Sequence, residues 1–310
     1  MKLNKIAILV FSFFSVTLFL VGHQASSEEL QWKPNEHSYT ILSGDRPLME
    51  YRYDYVLMKP YVKKLYTPAG INILRDSPYD HVHHHALMFA VAVDGIDFWT
   101  EQPKQYYGKQ RTVTIGPAAE SGDDIQSKLT WIKPDGVQAV GELRNVRAVD
   151  LSGKVTVVNW ESILSVPEGR EKVTIAGSHY FGLGLRFVQS MDKGGRFFNS
   201  EGKPGPIVRG DERVTPCRWC AYTAKVDEKP VTVAVFDRPG NPRKLHAFTM
   251  GDVSGPFAYL SATMNYYKES LELTADKPMT IGYGVALWDG EKTAAEVEAV
   301  YQTWLKSQEK

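Results

Sequence analysis

The sequence predicts a mostly-β fold: one large antiparallel β-sandwich with a single helix at the C-terminus. Short runs in which apolar and polar residues alternate recur from residue 37 to residue 288, as in residues 61–66, 155–160 and 231–236. Clusters of glycine, proline and aspartate separate these runs, and many short strands at such spacing are typical of sandwiches and barrels. Long helices do not alternate with the strands, which argues against a parallel α/β sheet.

Two further segments complete the predicted architecture. Apolar residues recur at helical spacing from residue 293 to residue 307, so a C-terminal helix is expected there. Residues 191–216 are rich in glycine, proline and charge, and we expect them to form a long irregular loop on the β scaffold.

The N-terminus has the pattern of an export signal. Two lysines precede an apolar run over residues 6–21, and small residues follow it. A membrane anchor is the alternative, but such an anchor usually needs about 20 apolar residues. We therefore expect a signal peptide over residues 1–26, a single β-sandwich domain over residues 27–310, and a periplasmic or secreted protein.

Charge and cysteine content limit the function classes. Lys+Arg and Asp+Glu both number 36, so the formal net charge is zero, and a nucleic-acid partner, which would normally require a basic excess, is not expected. A local basic pocket is still compatible with an anionic substrate. The only two cysteines, Cys217 and Cys220, are separated by two residues, and the sequence leaves open whether they form a disulfide or stay reduced and buried.

Histidines are concentrated in one segment. Four of the eight fall within residues 81–85, after Asp76 and Asp80 and directly before an apolar run. If a strand begins near His83, then His83 and His85 project from one face and His84 from the other. Such an arrangement favours either general acid–base chemistry, since histidine titrates near neutrality, or a metal held by His83 and His85.

Two other segments carry candidate binding residues. His179 and Arg186 flank a glycine-rich run, and an arginine can bind a carboxylate or sulfate bidentately. Residues 237–243 form a rigid turn with two prolines and a glycine, which would orient its polar side chains. Arg75, six residues before the first histidine of the cluster, adds a further polar candidate.

Motifs along most of the chain resemble the exported bacterial PmoA-like family. They are residues 59–61, 66–70, 75–78, 83–85, 95–99, 182–186, 219–220, 241–243 and 288–290. Residues 86 and 87 are Ala-Leu where the family commonly has Arg-Gly. The family label implies a methane oxygenase subunit, which would need several membrane-spanning helices, and the sequence after the leader has no segment of that length. At the level of fold, the resemblance implies a galactose-mutarotase-like supersandwich that binds carbohydrate on a concave sheet face.

Two functions follow as expectations. The first is a secreted or periplasmic carbohydrate-active enzyme, an epimerase, lyase or glycoside-processing enzyme that uses histidine acid–base chemistry. The second is a carbohydrate-binding or metal-binding protein without turnover, with a divalent metal as an open alternative. In either case we expect a carbohydrate or glycoside ligand. The predicted catalytic residues are His83, His84, His85 and His179, and the predicted substrate-binding residues are Arg75, Asp80, Arg186, Asp237, Asn241 and Arg243.

Overall fold

A computed structural model describes residues 30–54, 57–118, 124–151, 153–202, 214–251 and 255–308, so the predicted signal peptide lies outside the described residues. The strands of the first half are β1 (Leu30–Asn35), β2 (Ser38–Ser43), β3 (Arg46–Arg52), β4 (Tyr61–Leu65), β5 (Leu87–Ala90), β6 (Ala92–Val93), β7 (Ile96–Asp97), β8 (Lys109–Pro117), β9 (Ile125–Ile132), β10 (Gln138–Leu151) and β11 (Val155–Ser165). The second half contributes β12 (Lys172–Ala176), β13 (Gly182–Arg186), β14 (Arg196–Asn199), β15 (Val214–Pro216), β16 (Trp219–Val226), β17 (Lys229–Asp237), β18 (His246–Met250), β19 (Tyr259–Thr263), β20 (Leu271–Thr274), β21 (Met279–Asp289) and the helix α1 (Ala294–Ser307).

The strands form two large sheets and one small one. The larger sheet has the order β1-β2-β3-β4-β5-β13-β19-β18-β15, and the second has the order β14-β16-β17-β21-β11-β10-β9-β8. A four-stranded sheet, β20-β12-β6-β7, lies beside them. Neighbouring strands are antiparallel throughout the described residues, as in β13 with β5 and with β19. The predicted antiparallel β-sandwich is therefore confirmed.

The two large sheets pack face to face through apolar and aromatic side chains. Phe89 of β5 contacts the ring of Trp131 in β9, with centroids 6.2 Å apart, and Phe187 stacks on Tyr222 of β16 at 5.1 Å. All four side chains are almost completely buried. Full burial of a large apolar side chain contributes roughly 1.5–3 kcal/mol, so this interface fixes the relative position of the sheets.

Strand alternation on β13 determines which residues face the second sheet. Leu183 and Leu185 belong to the core between the sheets, so Gly184 and Arg186 lie on the opposite, outer face of the nine-stranded sheet. A Cβ at Gly184 would lie 1.8 Å from the hydroxyl of Tyr259 and 2.7 Å from the ring of Trp99. Glycine at this position therefore allows two aromatic rings to lie directly on the strand.

The C-terminal helix α1 confirms the periodicity seen in the sequence. Thr293 caps its N-terminus, because its side chain accepts a hydrogen bond from the backbone N–H of Glu296 and the Glu296 carboxylate accepts one from the backbone N–H of Thr293. Val297, Tyr301 and Trp304 are buried against the outer face of the eight-stranded sheet. In the part of the chain that the structure describes, no helix is long and apolar enough to cross a membrane.

Two predictions about local structure are wrong. The strand after the histidines begins at Leu87, not near His83, because Ala86 has a positive φ of 48° that interrupts the extended backbone. Strand alternation therefore does not separate His84 from His83 and His85. The segment 191–216 is not a continuous irregular loop, since it contains β14 and β15, while residues 203–213 lie outside the described residues.

Candidate functional site

The histidines lie on a closed loop between β4 and β5. Asp76 and His85 form an isolated antiparallel bridge, and the backbone N–H of Ser77 donates to the carbonyl of His84 over 3.0 Å. At the tip, the N–H of His81 donates to the carbonyl of Pro78. These bonds fold residues 76–85 into a compact loop, which we call the histidine loop.

Arg186 joins the histidine loop to the outer face of the nine-stranded sheet. Its Nη2 donates to Oδ2 of Asp80 over 2.9 Å, and the same oxygen lies 3.0 Å from Nδ1 of His81. Burial alone would raise the pKa of Asp80, but these two partners outweigh it and lower the pKa to about 2. Asp80 is therefore a carboxylate that fixes both a guanidinium and an imidazole.

Arg75, a candidate binding residue from the sequence, also lies beside Arg186. Its backbone N–H donates to the carbonyl of Arg186 over 3.0 Å, and its Nη1 is 4.0 Å from Oδ2 of Asp192. Asp192 is almost fully buried and accepts a hydrogen bond from the N–H of Ala258. Two arginines and two acids thus surround the site, so their formal charges balance.

Several buried polar groups at the site have no hydrogen-bond partner among the described residues. Arg186 is 1% exposed, and both its Nε and its Nη1 are unpaired. The other unpaired atoms nearby are His84 Nδ1, Tyr259 OH and Trp99 Nε1. Unpaired buried donors are rare and cost roughly 1–3 kcal/mol each, so their concentration around one arginine indicates a place where a polar ligand or water binds.

Aromatic rings enclose these polar groups. The ring of Phe257 lies 3.5 Å from the guanidinium carbon of Arg186 and contacts the rings of His81 and His84. His84 is stacked between His81 at 4.6 Å and Tyr259 at 5.1 Å. The site therefore combines flat apolar surfaces with hydrogen-bonding groups.

The imidazoles of His83 and His84 are held neutral. Burial, with help from neighbouring histidines, lowers the pKa of His84 to about 2, and burial together with Lys59 lowers that of His83 to about 4. Neither ring would be a cation at neutral pH. His81 has the geometry of an acid–base group, because its side chain is 37% exposed and its Nδ1 is bonded to Asp80.

His85 has a different environment, because carboxylates hold both of its ring nitrogens. Nδ1 lies 2.9 Å from Oδ1 of Asp76, and Nε2 lies 3.0 Å from Oε2 of Glu101. Burial opposes its protonation, but the two carboxylates outweigh burial and raise the pKa of His85. Lys59, which is fully buried, pairs with the other oxygen of Glu101. His85 is therefore part of a buried ion network that supports the histidine loop from beneath.

This network argues against the metal alternative. A metal ligand needs an unprotonated ring nitrogen, and both nitrogens of His85 have carboxylate partners. Among the described residues, no group of three or more histidine, cysteine, aspartate or glutamate side chains has the arrangement of a metal site. The pairing of His83 with His85 as metal ligands is not supported.

His179 is not brought to the histidine loop. Its ring stacks on Tyr267, with centroids 3.7 Å apart, and it lines a pocket with His246 whose described lining contains none of the loop histidines. It also precedes β13 rather than lying on it. The predicted partnership of His179 with the loop histidines is therefore not present.

The turn at residues 237–243 is stabilised by internal bonds. The Asp237 carboxylate accepts from the Asn241 side chain and from the N–H of Leu245. Asn241 also exchanges two hydrogen bonds with the backbone of Gly282, and Arg243 donates to the carbonyls of residues 264 and 269. These partners satisfy most of the hydrogen-bonding groups of Asp237, Asn241 and Arg243, which the sequence assigned to substrate binding. The turn therefore has a structural role.

Sequence reasoning missed the residues that complete the site. Lys59, the segment that holds Trp99 and Glu101, and Asp192 reach it from three parts of the chain, and Phe257 and Tyr259 approach from the turn before β19 and from β19 itself. No spacing rule connects these positions. From the sequence, Lys59 belongs only to a motif of the family resemblance, and Trp99 is one of several tryptophans that either stack on a sugar or pack in the core.

The two cysteines are free and buried in the structure. Burial raises the pKa of the Cys220 thiol to about 12 and raises that of Cys217 well above its usual value. Such thiols are poor nucleophiles. Of the two alternatives, the structure has the reduced pair.

Comparison with known families corrects the resemblance drawn from the motifs. Residues 38–302 match a family of unknown function (DUF6807), which overturns the resemblance to the PmoA-like family. No curated protein matches the sequence.

Comparison with solved structures supports the sandwich fold. The GH36 α-galactosidase AgaB from Geobacillus stearothermophilus superposes with a TM-score of 0.51 at 9% identity, covering 84% of this chain and 41% of that enzyme. AgaA from the same organism gives 0.48 at 10% identity with the same coverage, and a putative mutarotase (YeaD) from Salmonella typhimurium gives 0.39 at 9% identity, covering 84% and 94%. The chain thus spans less than half the length of these α-galactosidases, and the likeness to AgaB concerns the fold alone.

Proposed function

The chain belongs to the DUF6807 family, which has no established function, and we propose that it acts on a carbohydrate at the site formed by Arg186 and the histidine loop. One observation carries this proposal: buried polar atoms of Arg186, His84 and Tyr259 that have no partner among the described residues lie where aromatic rings enclose them. A sugar presents hydroxyls that both donate and accept, together with apolar ring faces. Arginine donors, a carboxylate acceptor and aromatic surfaces match that pattern.

The fold is compatible with a carbohydrate ligand. A comparable sandwich occurs in AgaB, whose name identifies it as an α-galactosidase. Because one fold hosts many functions, this likeness supports the proposal only by analogy. The chemistry of the site remains the principal argument.

We assign the acid–base role to His81. Asp80 accepts a hydrogen bond from Nδ1 of His81, so in the neutral ring Nε2 is the proton acceptor. Removing a proton from a sugar leaves negative charge on an oxygen, and the Nε and Nη1 donors of Arg186 are suited to stabilise that charge. Mutarotation, epimerisation and β-elimination all begin with such a proton transfer.

The test uses a panel of free sugars and glycosides in D₂O, followed by NMR. Exchange of anomers without carbon deuteration would identify a mutarotase, deuterium at carbon an epimerase, and a new alkene signal a lyase. We expect His81→Gln to lower the rate by about 10²–10⁴ with little change in melting temperature. Lys172→Gln, at an exposed ion pair with Glu272, is the matched control and should leave the rate unchanged.

A carbohydrate-binding protein without turnover is the second candidate, and the enclosure of Arg186 by Phe257 favours it. In that case no sugar in the panel would react, while calorimetry would still detect binding that Arg186→Lys weakens. If neither reaction nor binding is found, or if Arg186→Lys and His81→Gln both leave a measured reaction unaltered, the site is not at Arg186.

Export also belongs to the proposal. The basic start and apolar run of residues 1–26 support a periplasmic or secreted location for residues 27–310. Mass spectrometry of the protein from its native envelope fraction should find a mature N-terminus close to residue 27. Recovery of the chain with Met1 intact would contradict export by cleavage.

A further inference from the structure

Arg75 and Asp192 form a second pair of opposite charges beside Arg186, and the two side chains are not hydrogen-bonded to each other. Nη1 of Arg75 lies 4.0 Å from Oδ2 of Asp192, which is longer than a hydrogen bond. Among the described residues, no other group accepts a hydrogen bond from this guanidinium or donates one to Oδ2. The Arg75 side chain is 23% exposed and the Asp192 side chain 11%, so a ligand at the surface can reach both.

The backbone holds both side chains beside Arg186. The N–H of Arg75 donates to the carbonyl of Arg186 over 3.0 Å, and the residues next to these two form an isolated antiparallel bridge. Opposite residues of antiparallel segments share a face, so the Arg75 side chain lies on the same outer face as that of Arg186. Asp192 follows the short helical turn of residues 189–191, and its Oδ1 accepts from the N–H of Ala258 over 2.9 Å. This bond fixes the carboxylate and leaves Oδ2 for a ligand.

The charges at this position balance. Burial lowers the pKa of the Arg186 guanidinium, and Asp80 and Asp192 oppose that effect. Burial raises the pKa of Asp192, and the N–H of Ala258 and the two arginines oppose that rise. Two arginines and two aspartates therefore act on one another, and their formal charges add to zero. An anion placed here would meet as many carboxylates as guanidinium groups, so the set offers it no net attraction.

A hydroxyl group fits between Arg75 and Asp192. It can accept a hydrogen bond from the guanidinium and donate one to the carboxylate at the same time, whereas an ionised carboxylate or sulfate can only accept. With ordinary hydrogen-bond lengths of roughly 2.7–2.9 Å, a separation of 4.0 Å gives an angle of roughly 90° at the shared oxygen, which suits a hydroxyl. The pair therefore favours a group that both donates and accepts.

We propose that Arg75 and Asp192 together bind one hydroxyl of the sugar and make the site selective for a neutral sugar over its acidic counterpart. The inference rests on the proposed function, because it names the class of sugar that the Arg186 site takes. A carboxylate or sulfate in place of the hydroxyl has no proton to donate to Asp192 and repels it. Removing either charge of the pair should therefore change which class of sugar is preferred.

The first experiment measures affinities by calorimetry at pH 8 for matched methyl glycosides: galactoside with galacturonide, glucoside with glucuronide, and mannoside with mannuronide. We expect the wild type to bind at least one neutral member about tenfold more tightly than its acidic partner. Asp192→Asn gives the site one net positive charge, so it should weaken the neutral member and move the preference towards the acidic one. Arg75→Gln gives one net negative charge, so it should weaken the neutral member and move the preference further from the acidic one.

Two matched controls carry the same charge changes elsewhere. Glu272→Gln and Lys172→Gln each remove one member of an exposed ion pair, and both should leave the preference unchanged. A purely structural role of Arg75 and Asp192 would weaken both classes of sugar alike in the two variants. A wild-type preference for the acidic members, or preferences that move in the same direction in both variants, would overturn the inference. The proposed function, tested by Arg186→Lys, would still stand.

The second experiment tests the charge balance without a sugar. Melting temperatures are compared in sodium sulfate and in sodium chloride of equal ionic strength, and Glu272→Gln shows the general stabilisation by sulfate. We expect an additional, saturable rise in Asp192→Asn, because its anion site has lost a repelling carboxylate, and none in the wild type or Arg75→Gln. An additional rise in the wild type, or none in Asp192→Asn, overturns the inference whatever the sugars do. If sulfate behaves as expected but no sugar of any pair binds, the proposed function is wrong and the assignment of a sugar hydroxyl falls with it.

Discussion

Arg186 on a central strand and Asp80 on the histidine loop form a hydrogen-bonded ion pair, with Nη2 and Oδ2 2.9 Å apart. The arginine side chain is 2% exposed and the aspartate side chain 26%. The pair therefore fixes the loop that carries His81 to the face of the sheet. It also leaves two guanidinium donors free for a ligand.

Asp80→Asn should destabilise the fold through this pair. The substitution leaves a buried guanidinium without its charged partner, and an unsatisfied buried donor costs about 1–3 kcal/mol. Partial exposure of Asp80 lets water replace part of the bond, so the lower half of that range is expected. Urea unfolding measures the difference, and Tyr79→Ser, at a 91% exposed neighbour, should change stability by less than about 0.5 kcal/mol.

Stability should fall as the pH drops below about 6.5, since His84 stays neutral when folded. Its pKa is lowered from 6.5 to about 2, so between these values the unfolded chain binds a proton that the folded chain does not. One such group changes the free energy of unfolding by up to about 1.4 kcal/mol per pH unit. His83, with a pKa of about 4, adds to the slope between pH 6.5 and 4.

The variant His84→Gln removes the contribution of His84 to the pH dependence of stability. Urea unfolding from pH 7 to pH 4 should give a shallower decline for the variant than for the wild type, while Tyr79→Ser retains the wild-type slope. Equal slopes in all three proteins would show that His84 is protonated in the folded state. His85 contributes to the pH dependence of stability with the opposite sign. Because its pKa is raised, it contributes stability that is lost as the pH rises.

Both cysteines should be present as thiols. Cys217 and Cys220 are free and buried, and burial raises both thiol pKa values. A thiol reagent should find two groups in the denatured, unreduced protein and react with them very slowly in the native protein. A mass two hydrogens lower, with no reactive thiol after denaturation, would instead reveal a disulfide.

The sequence predicted the sandwich and the helix because both follow from local periodicity. Residues 155–160 and 231–236 lie within β11 and β17. The predicted helix, residues 293–307, begins one residue before α1 and ends at the same residue. Of the residues that the sequence proposed for catalysis or binding, the structure brings Arg75, Asp80, His84 and Arg186 together. Sequence reasoning did not find Lys59, Glu101 or Asp192, since their contacts depend on segments up to 117 residues apart, as for Arg75 and Asp192. The prediction that His83 and His85 lie on one strand face and His84 on the other failed, because Ala86 adopts a positive φ that no residue pattern indicated.

Gly184→Ala should disturb the site without removing any polar group. The new methyl group would meet the Tyr259 hydroxyl at 1.8 Å and the Trp99 ring at 2.7 Å, so both rings must move. Overpacking of this kind costs about 1–3 kcal/mol, and we expect a changed tryptophan fluorescence together with weaker ligand binding. Gly116→Ala is the matched control, since a Cβ there has no neighbour within 4 Å. An unchanged melting temperature and spectrum in Gly184→Ala would show that the rings do not rest on β13.

The buried ions beneath the histidine loop should be strongly coupled. Glu101→Gln leaves Lys59 and His85 without their shared carboxylate, and loss of one partner from a buried ion pair costs about 3–5 kcal/mol. Lys59→Met removes the other partner and should cost a similar amount. Because the double variant no longer buries an unpaired lysine, its loss of stability should be well below the sum of the two single losses. Urea unfolding of the four proteins gives this coupling energy, and losses that simply add would show that Lys59 and Glu101 do not interact in solution.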